Sequence, residues 1–190
     1  IGICAFFISG CESSGNKLFS KVSSSSSNIE FRNHLVEDEE FNVLNYPYFY
    51  NGGGVAVGDI NNDGLPDILF TGNMVKNRLY LNNGKGNFTR SLNALPGDFI
   101  NDNTVSLGDF NGDGFIDLFN GGFCIPGKYP ESSGSQILLN DGKGNFTKQN
   151  STWLKGFNDR NLVTASSCAD INKDGRTDLI ITGHWMGIEV

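Results

Sequence analysis

Asp59-Ile60-Asn61-Asn62-Asp63-Gly64-Leu65-Pro66-Asp67-Ile68 is the stretch on which the fold turns. Its oxygen-bearing side chains alternate at Asp59, Asn61 and Asp63, a glycine follows, and a third carboxylate stands at Asp67. The pattern returns as Asp109-Phe110-Asn111-Gly112-Asp113-Gly114-Phe115-Ile116-Asp117-Leu118 and as Asp170-Ile171-Asn172-Lys173-Asp174-Gly175-Arg176-Thr177-Asp178-Leu179. Repeated units of this kind imply a repeat architecture, because each unit buries its apolar face only against a neighbour.

The spacing has a chemical reason. A calcium ion takes six to eight oxygens, and a curling loop supplies them from alternate side chains. Positions 1, 3 and 5 are therefore candidate ligands: Asp59, Asn61 and Asp63; Asp109, Asn111 and Asp113; Asp170, Asn172 and Asp174. Position 6 is glycine each time, which allows the sharp turn. Position 7 would give its backbone carbonyl, so Leu65, Phe115 and Arg176 are equally tolerable there, and position 9 adds Asp67, Asp117 or Asp178. Expected is about one Ca2+ per loop, three in all. Magnesium fits less well, since it demands octahedral geometry and keeps its waters. The plainer reading is an Asx-rich turn in which the side chains cap their own backbone. Against it, three carboxylates within nine residues repel one another unless a cation joins them.

An EF-hand would carry a Glu at position 12 between two helices. Here position 12 is Phe70, Asn120 or Ile181, and the flanks Val55-Ala56-Val57 and Ile68-Leu69-Phe70 are β-prone runs of strand length. The ligand set is thus mounted on a β-hairpin. A second hairpin signal follows each of the first two loops, in Leu79-Tyr80-Leu81-Asn82-Asn83-Gly84-Lys85-Gly86-Asn87-Phe88-Thr89 and in Ile137-Leu138-Leu139-Asn140-Asp141-Gly142-Lys143-Gly144-Asn145-Phe146-Thr147. Two hairpins make a four-stranded unit, the blade of a β-propeller. The fold class expected is all-β: a partial β-propeller of four-stranded antiparallel blades with calcium-binding hairpin loops. Blades are expected over about 54–90 and 104–148, with a third, incomplete, over 163–190 of a domain spanning 29–190, the remaining blades lying beyond the carboxy terminus.

These loops resemble the FG-GAP and VCBS repeats of integrin-α-like propellers. The stretch Tyr50-Asn51-Gly52-Gly53-Gly54-Val55-Ala56-Val57-Gly58-Asp59, with Arg78-Leu79-Tyr80-Leu81-Asn82, is similar to bacterial VCBS proteins related to cartilage acidic protein, which often carry an ASPIC and UnbV domain further on. The resemblance implies calcium at the same loop residues and an exported protein.

Composition agrees with short strands and tight turns, with 25 glycines and 15 phenylalanines against 5 prolines. The formal charge of −7 disfavours a nucleic-acid or anionic-membrane partner. Nine of the 21 acidic residues lie in the three loops, where divalent ions would cancel most of that charge. Ile1 to Ile8 is an apolar run of signal-core length, and Ile8-Ser9-Gly10-Cys11 resembles a bacterial lipobox. Residues 1–11 then read as a truncated lipoprotein-type signal with lipidation at Cys11, the alternative being an ordinary cleaved signal. Residues 12–28, with Ser23 to Ser27, read as a polar tether. The location implied is the bacterial cell envelope, on the outer membrane or cell surface, touching membrane only through a lipid anchor.

Cys124 and Cys168 read as packing residues, with one disulfide between them left open. The aromatic group Tyr46, Tyr48, Phe49 and Tyr50 could supply outer strands, cover the first blade or form a ligand-stacking platform, and Glu37-Asp38-Glu39-Glu40 reads as a solvated turn. His34 and His184 are the only histidines, no nucleophile motif stands out, and the loops already claim many carboxylates. The expectation is a non-enzymatic module that binds a surface protein or glycan. The alternatives are a calcium-stabilised scaffold for a polysaccharide-degrading enzyme whose catalytic residues lie elsewhere, and a purely structural spacer.

Overall fold

A computed structural model describes residues 18–96, 102–149 and 162–184. The expected signal over 1–11 with Cys11, the start of the tether and the last residues of the third blade lie outside them.

The described chain is all-β apart from one helical turn, α1 (Ser24–Ser27). Strands β1 (Val55–Gly58), β2 (Asp67–Phe70), β3 (Arg78–Asn82) and β4 (Phe88–Ser91) form one four-stranded sheet in chain order. Strands β5 (Asp102–Gly108), β6 (Asp117–Gly122), β7 (Gln136–Asn140) and β8 (Phe146–Lys148) form a second, and β9 (Leu162–Ala169) pairs with β10 (Asp178–His184). Every pairing is antiparallel. The two sheets span Val55–Ser91 and Asp102–Lys148. Among the described residues the three units do not close into a ring.

The repeat is carried into register. Gly58 pairs with Asp67, Gly108 with Asp117 and Ala169 with Asp178, so each Asp-rich loop spans the first hairpin of its unit. The second hairpins turn through left-handed residues, at Gly84, Lys85 and Gly86 in the first sheet and at Gly142 and Gly144 in the second. Glycine at four of these five positions removes the Cβ clash of that conformation.

Units stack face to face, with β5 running beside both β1 and β9. Leu69 and Leu79 of the first sheet meet Leu118 and Leu138 of the second in one buried cluster. Phe119 and Ile137, on the opposite face of the second sheet, meet Val163 and Ile181 of the third unit. Successive side chains of a strand point to opposite faces, so a strand covered on both sides buries every residue, as all six residues of β6 do. Close approach is needed where the first strands end. A Cβ at Gly58 would stand 3.0 Å from Leu107 Cδ1, and one at Gly108 2.7 Å from Thr177 Cγ2.

A third cluster gathers Tyr46, Phe49, Phe123, Cys124 and Leu162. Tyr46 and Phe49 are 2% and 1% exposed, so these two are core rather than a stacking platform. Residues 41–50 form no strand. They are turns, whose backbone is tied by Asn73 Nδ2 donating to the carbonyls of Tyr48, Phe49 and Asn51 at 2.9–3.0 Å. Cys124 and Cys168 are both free thiols. Burial pushes the Cys168 thiol up to about 11, as suits a side chain packed at the Gly108 contact.

The serine run ends in structure. Ser23 caps α1 by accepting the Ser26 N–H, and Asn87 Nδ2 donates to the Ser26 carbonyl, fastening the turn to the β3–β4 loop. From there the chain crosses the outer face of the first sheet, where Phe31 stacks on Phe70 with centroids 4.8 Å apart.

Candidate metal-binding loops

Each loop is organised by its first carboxylate. Asp59 Oδ1 accepts the N–H of Asp63 at 3.0 Å and Oδ2 that of Gly64 at 2.8 Å. Asp109 takes the N–H groups of Asp113 and Gly114, and Asp170 those of Asp174 and Gly175, in the same way. Asn61, Asn111 and Asn172 each donate Nδ2 to the position-5 carboxylate, at 2.9, 2.7 and 3.1 Å. Asp63, Asp113 and Asp174 accept from the N–H of position 7 at 2.9 Å. Positions 1, 3 and 5 are thus tied together within one turn, three times over.

Position 9 behaves differently. Asp67 is fully buried, Oδ2 accepting from Ile60 N–H at 2.8 Å and Oδ1 from Asn82 N–H at 2.7 Å. Asp117 repeats this with Phe110 at 2.9 Å and Asn140 at 2.9 Å. This carboxylate ties the loop of the first hairpin to the third strand of its own sheet. Asp178 accepts from Ile171 N–H at 2.9 Å. Burial raises the Asp67 and Asp117 carboxyls above the usual range against the pull of these N–H donors, and the other loop carboxylates push the same way.

At position 7 the side chain serves packing: Leu65 lies against Gly84, and the Phe115 ring covers Gly142 in the second hairpin turn. Any ligand from Leu65, Phe115 or Arg176 would have to be its backbone oxygen.

The donor set suits a hard cation, since it consists of oxygens throughout. One further observation agrees: Asn61 Oδ1 is buried without a hydrogen-bond partner. A buried acceptor left unsatisfied is costly, and a cation at the loop would satisfy it. In the sibling loops Asn111 and Asn172 Oδ1 accept from Asp113 and Asp174 N–H instead. Among the described residues no three His, Cys, Asp or Glu side chains stand together as a ready-made cage. A set completed by an asparagine oxygen and a backbone carbonyl does not need one.

The sequence reading passed over Asn82 and Asn140, which close the second hairpins. Asn140 Nδ2 donates to the carbonyl of Ile116 in its own loop at 2.9 Å and to that of Ile60 in the preceding unit's loop at 2.7 Å. Asn82 donates only to its own loop, at Pro66 O, 2.9 Å away. Their equivalent places, directly after Leu81 and Leu139 in the two hairpins, were the available signal. A second inter-unit link is Asp102, buried, which accepts from Asn77 Nδ2 at 2.7 Å. His34 and His184 are exposed, with His184 at the edge of Tyr48 and Phe123.

Residues 59–119 match the family model described as FG-GAP-like repeat. The match runs from the first Asp-rich loop through the rest of its sheet to the second loop and into β6. No curated protein matches the chain. The chain therefore carries an FG-GAP-like repeat within an all-β, propeller-like stack of four-stranded antiparallel sheets. No described helix is long and apolar enough to cross a membrane.

Proposed function

We propose that this chain is part of an exported, calcium-binding β-propeller that binds a protein or glycan at the cell surface. The observation that carries the calcium reading is the threefold gathering of an Asp, an Asn and an Asp on one turn, with Asn61 Oδ1 buried and unpartnered in the first. Asp59, Asn61 and Asp63, their counterparts Asp109, Asn111 and Asp113, and Asp170, Asn172 and Asp174 would hold the ions, helped by position 9 and by a backbone oxygen at position 7. The metal would supply rigidity: binding to the folded loop alone adds its free energy to folding. The export reading rests on the apolar run before Cys11 and on the resemblance to exported repeat proteins.

Calorimetric titration of the chain with calcium tests this, beside the triple variant Asp63→Ala, Asp113→Ala, Asp174→Ala. Uptake of one ion per loop, lost in the variant together with the calcium-dependent rise in melting temperature, is expected. No uptake, with equal melting of the two proteins, would reduce the loops to polar turns.

A further inference from the structure

Although the chain is acidic, its described cations are unevenly placed. Arg32, Lys76, Arg78 and Arg90 line one pocket of about 230 Å3 on the outer part of the first sheet, with Glu30 as the single carboxylate among them. Three of the four arginines among the described residues are here.

The sheet itself sets two of them side by side. Tyr80 pairs with Arg90 across β3 and β4, and Arg78 precedes Tyr80 by two residues, so all three side chains share a face. Like charges at neighbouring cross-strand positions destabilise a sheet unless something opposite lies between them. Arg78 uses Nη1 on the Asn77 carbonyl at 3.1 Å, one of five donors in its planar fork. Burial, and then Arg90, lowers its pKa. The far wall is the crossing segment, held in place where Tyr80 Oη accepts the Glu30 N–H at 3.3 Å and Phe31 stacks on Phe70. A planar guanidinium fork matches the two oxygens of a carboxylate.

We propose that this pocket binds a hexuronate, the carboxylate-bearing sugar of an acidic glycan. The cations take the carboxylate, while Glu30 accepts from sugar hydroxyls and Asn28, also lining the pocket, offers an amide. A ligand with one negative charge and several O–H donors satisfies both halves of this lining. A dianion, or a peptide with successive carboxylates, would set a second charge against Glu30. The volume lies below the ~300–1,000 Å3 of sites for drug-sized ligands and suits a single ring.

The proposal rests on the surface-ligand reading above for its choice of a glycan, but the pocket contains no residue of the Asp-rich loops. Calorimetric titrations of the chain with glucuronate, glucose, sulfate and a short polyglutamate peptide, each in calcium and in chelator, separate the two. Glucuronate should bind at least about tenfold more tightly than glucose and more tightly than sulfate or the peptide, and added salt should weaken it. Arg78→Ala with Arg90→Ala should lose about tenfold or more in affinity, whereas Lys148→Ala, an exposed cation on β8, should change nothing. If the double variant fails to fold, the exposed Arg90→Ala alone gives the same reading. Glucuronate binding no stronger than glucose, tighter binding of sulfate or peptide, or indifference to Arg90→Ala overturns the proposal. Glucuronate binding without calcium uptake leaves it standing while the calcium reading falls; calcium uptake without glucuronate binding does the reverse.

Discussion

The first and second sheets share a strand order, a hairpin register and a loop chemistry, yet they are buried very differently. In β6 every residue is buried, whereas β2, its counterpart, alternates between buried and half-buried, and Val55 and Val57 of β1 are 60% and 62% exposed. The second sheet has a neighbour on each face. Among the described residues the first has one on a single face, and its other face is partly covered by the crossing segment through Phe31. What a repeat buries is thus set by what stands beside it, and the same Leu or Val can be core in one copy and surface in the next.

The strongest way to break this comparison is to delete one apolar group from each of the two environments. Leu118→Ala removes a side chain 1% exposed in the cluster between the sheets and should cost about 2–5 kcal/mol. Val57→Ala should stay within about 0.5 kcal/mol. Urea unfolding would show it, and equal losses would mean that the sheets are not stacked as described. Gly108→Val comes next. Its branched side chain would be driven into Thr177 and Cys168, costing about 1–3 kcal/mol by overpacking and raising hydrogen exchange in β9 before β6.

A finer test compares the two asparagines that close the second hairpins. Asn140→Ala should cost about 1–3 kcal/mol, since it strands two carbonyls, one of them in the neighbouring unit. Asn82→Ala should cost less, because its partner Pro66 O is at an exposed contact. Thermal melts of both variants would check the order. Asn82→Ala proving the more costly would mean that the link between units contributes little.

The smallest effect concerns Asp102. Its carboxyl is raised chiefly by burial, against the pull of Asn120 and Asn77. With the folded pKa above the unfolded one, the folded state holds the proton more tightly, so this group's contribution to stability is fullest below the unfolded value and is lost as pH rises through the folded one. The wild type should therefore gain stability relative to Asp102→Asn as pH falls toward 4, measured as urea midpoints across that range. A pH-independent difference would show that Asp102 ionises as it does in the unfolded chain.

Much of this was legible in the residues alone. Glycine and asparagine fixed the turns, alternating apolar runs marked the strands, and the Asp-rich decapeptides located the first hairpins, because these are local conformational preferences that need no partner. The gathering of positions 1, 3 and 5 followed from the same local geometry. Position 9 was different: it was read as a ligand from spacing, but the bonds Asp67 and Asp117 make to Asn82 and Asn140 depend on the third strand folding back beside the loop. The helical turn at Ser24–Ser27 also escaped a reading by composition, since four serines have little helix preference of their own and the turn is fastened by Asn87, about 60 residues away in the chain.

By itself, then, the sequence determined the hairpin repeat, its turn chemistry and the oxygen-rich loops, all encoded within a few consecutive residues. Only the tertiary structure decided which face of each sheet is core, that Tyr46 and Phe49 are buried, that Asn140 spans two units, and that four cations scattered from Arg32 to Arg90 meet at one pocket. Those features depend on contacts between residues far apart in the chain, formed when a sheet stacks or a segment crosses it, and no local pattern carries them.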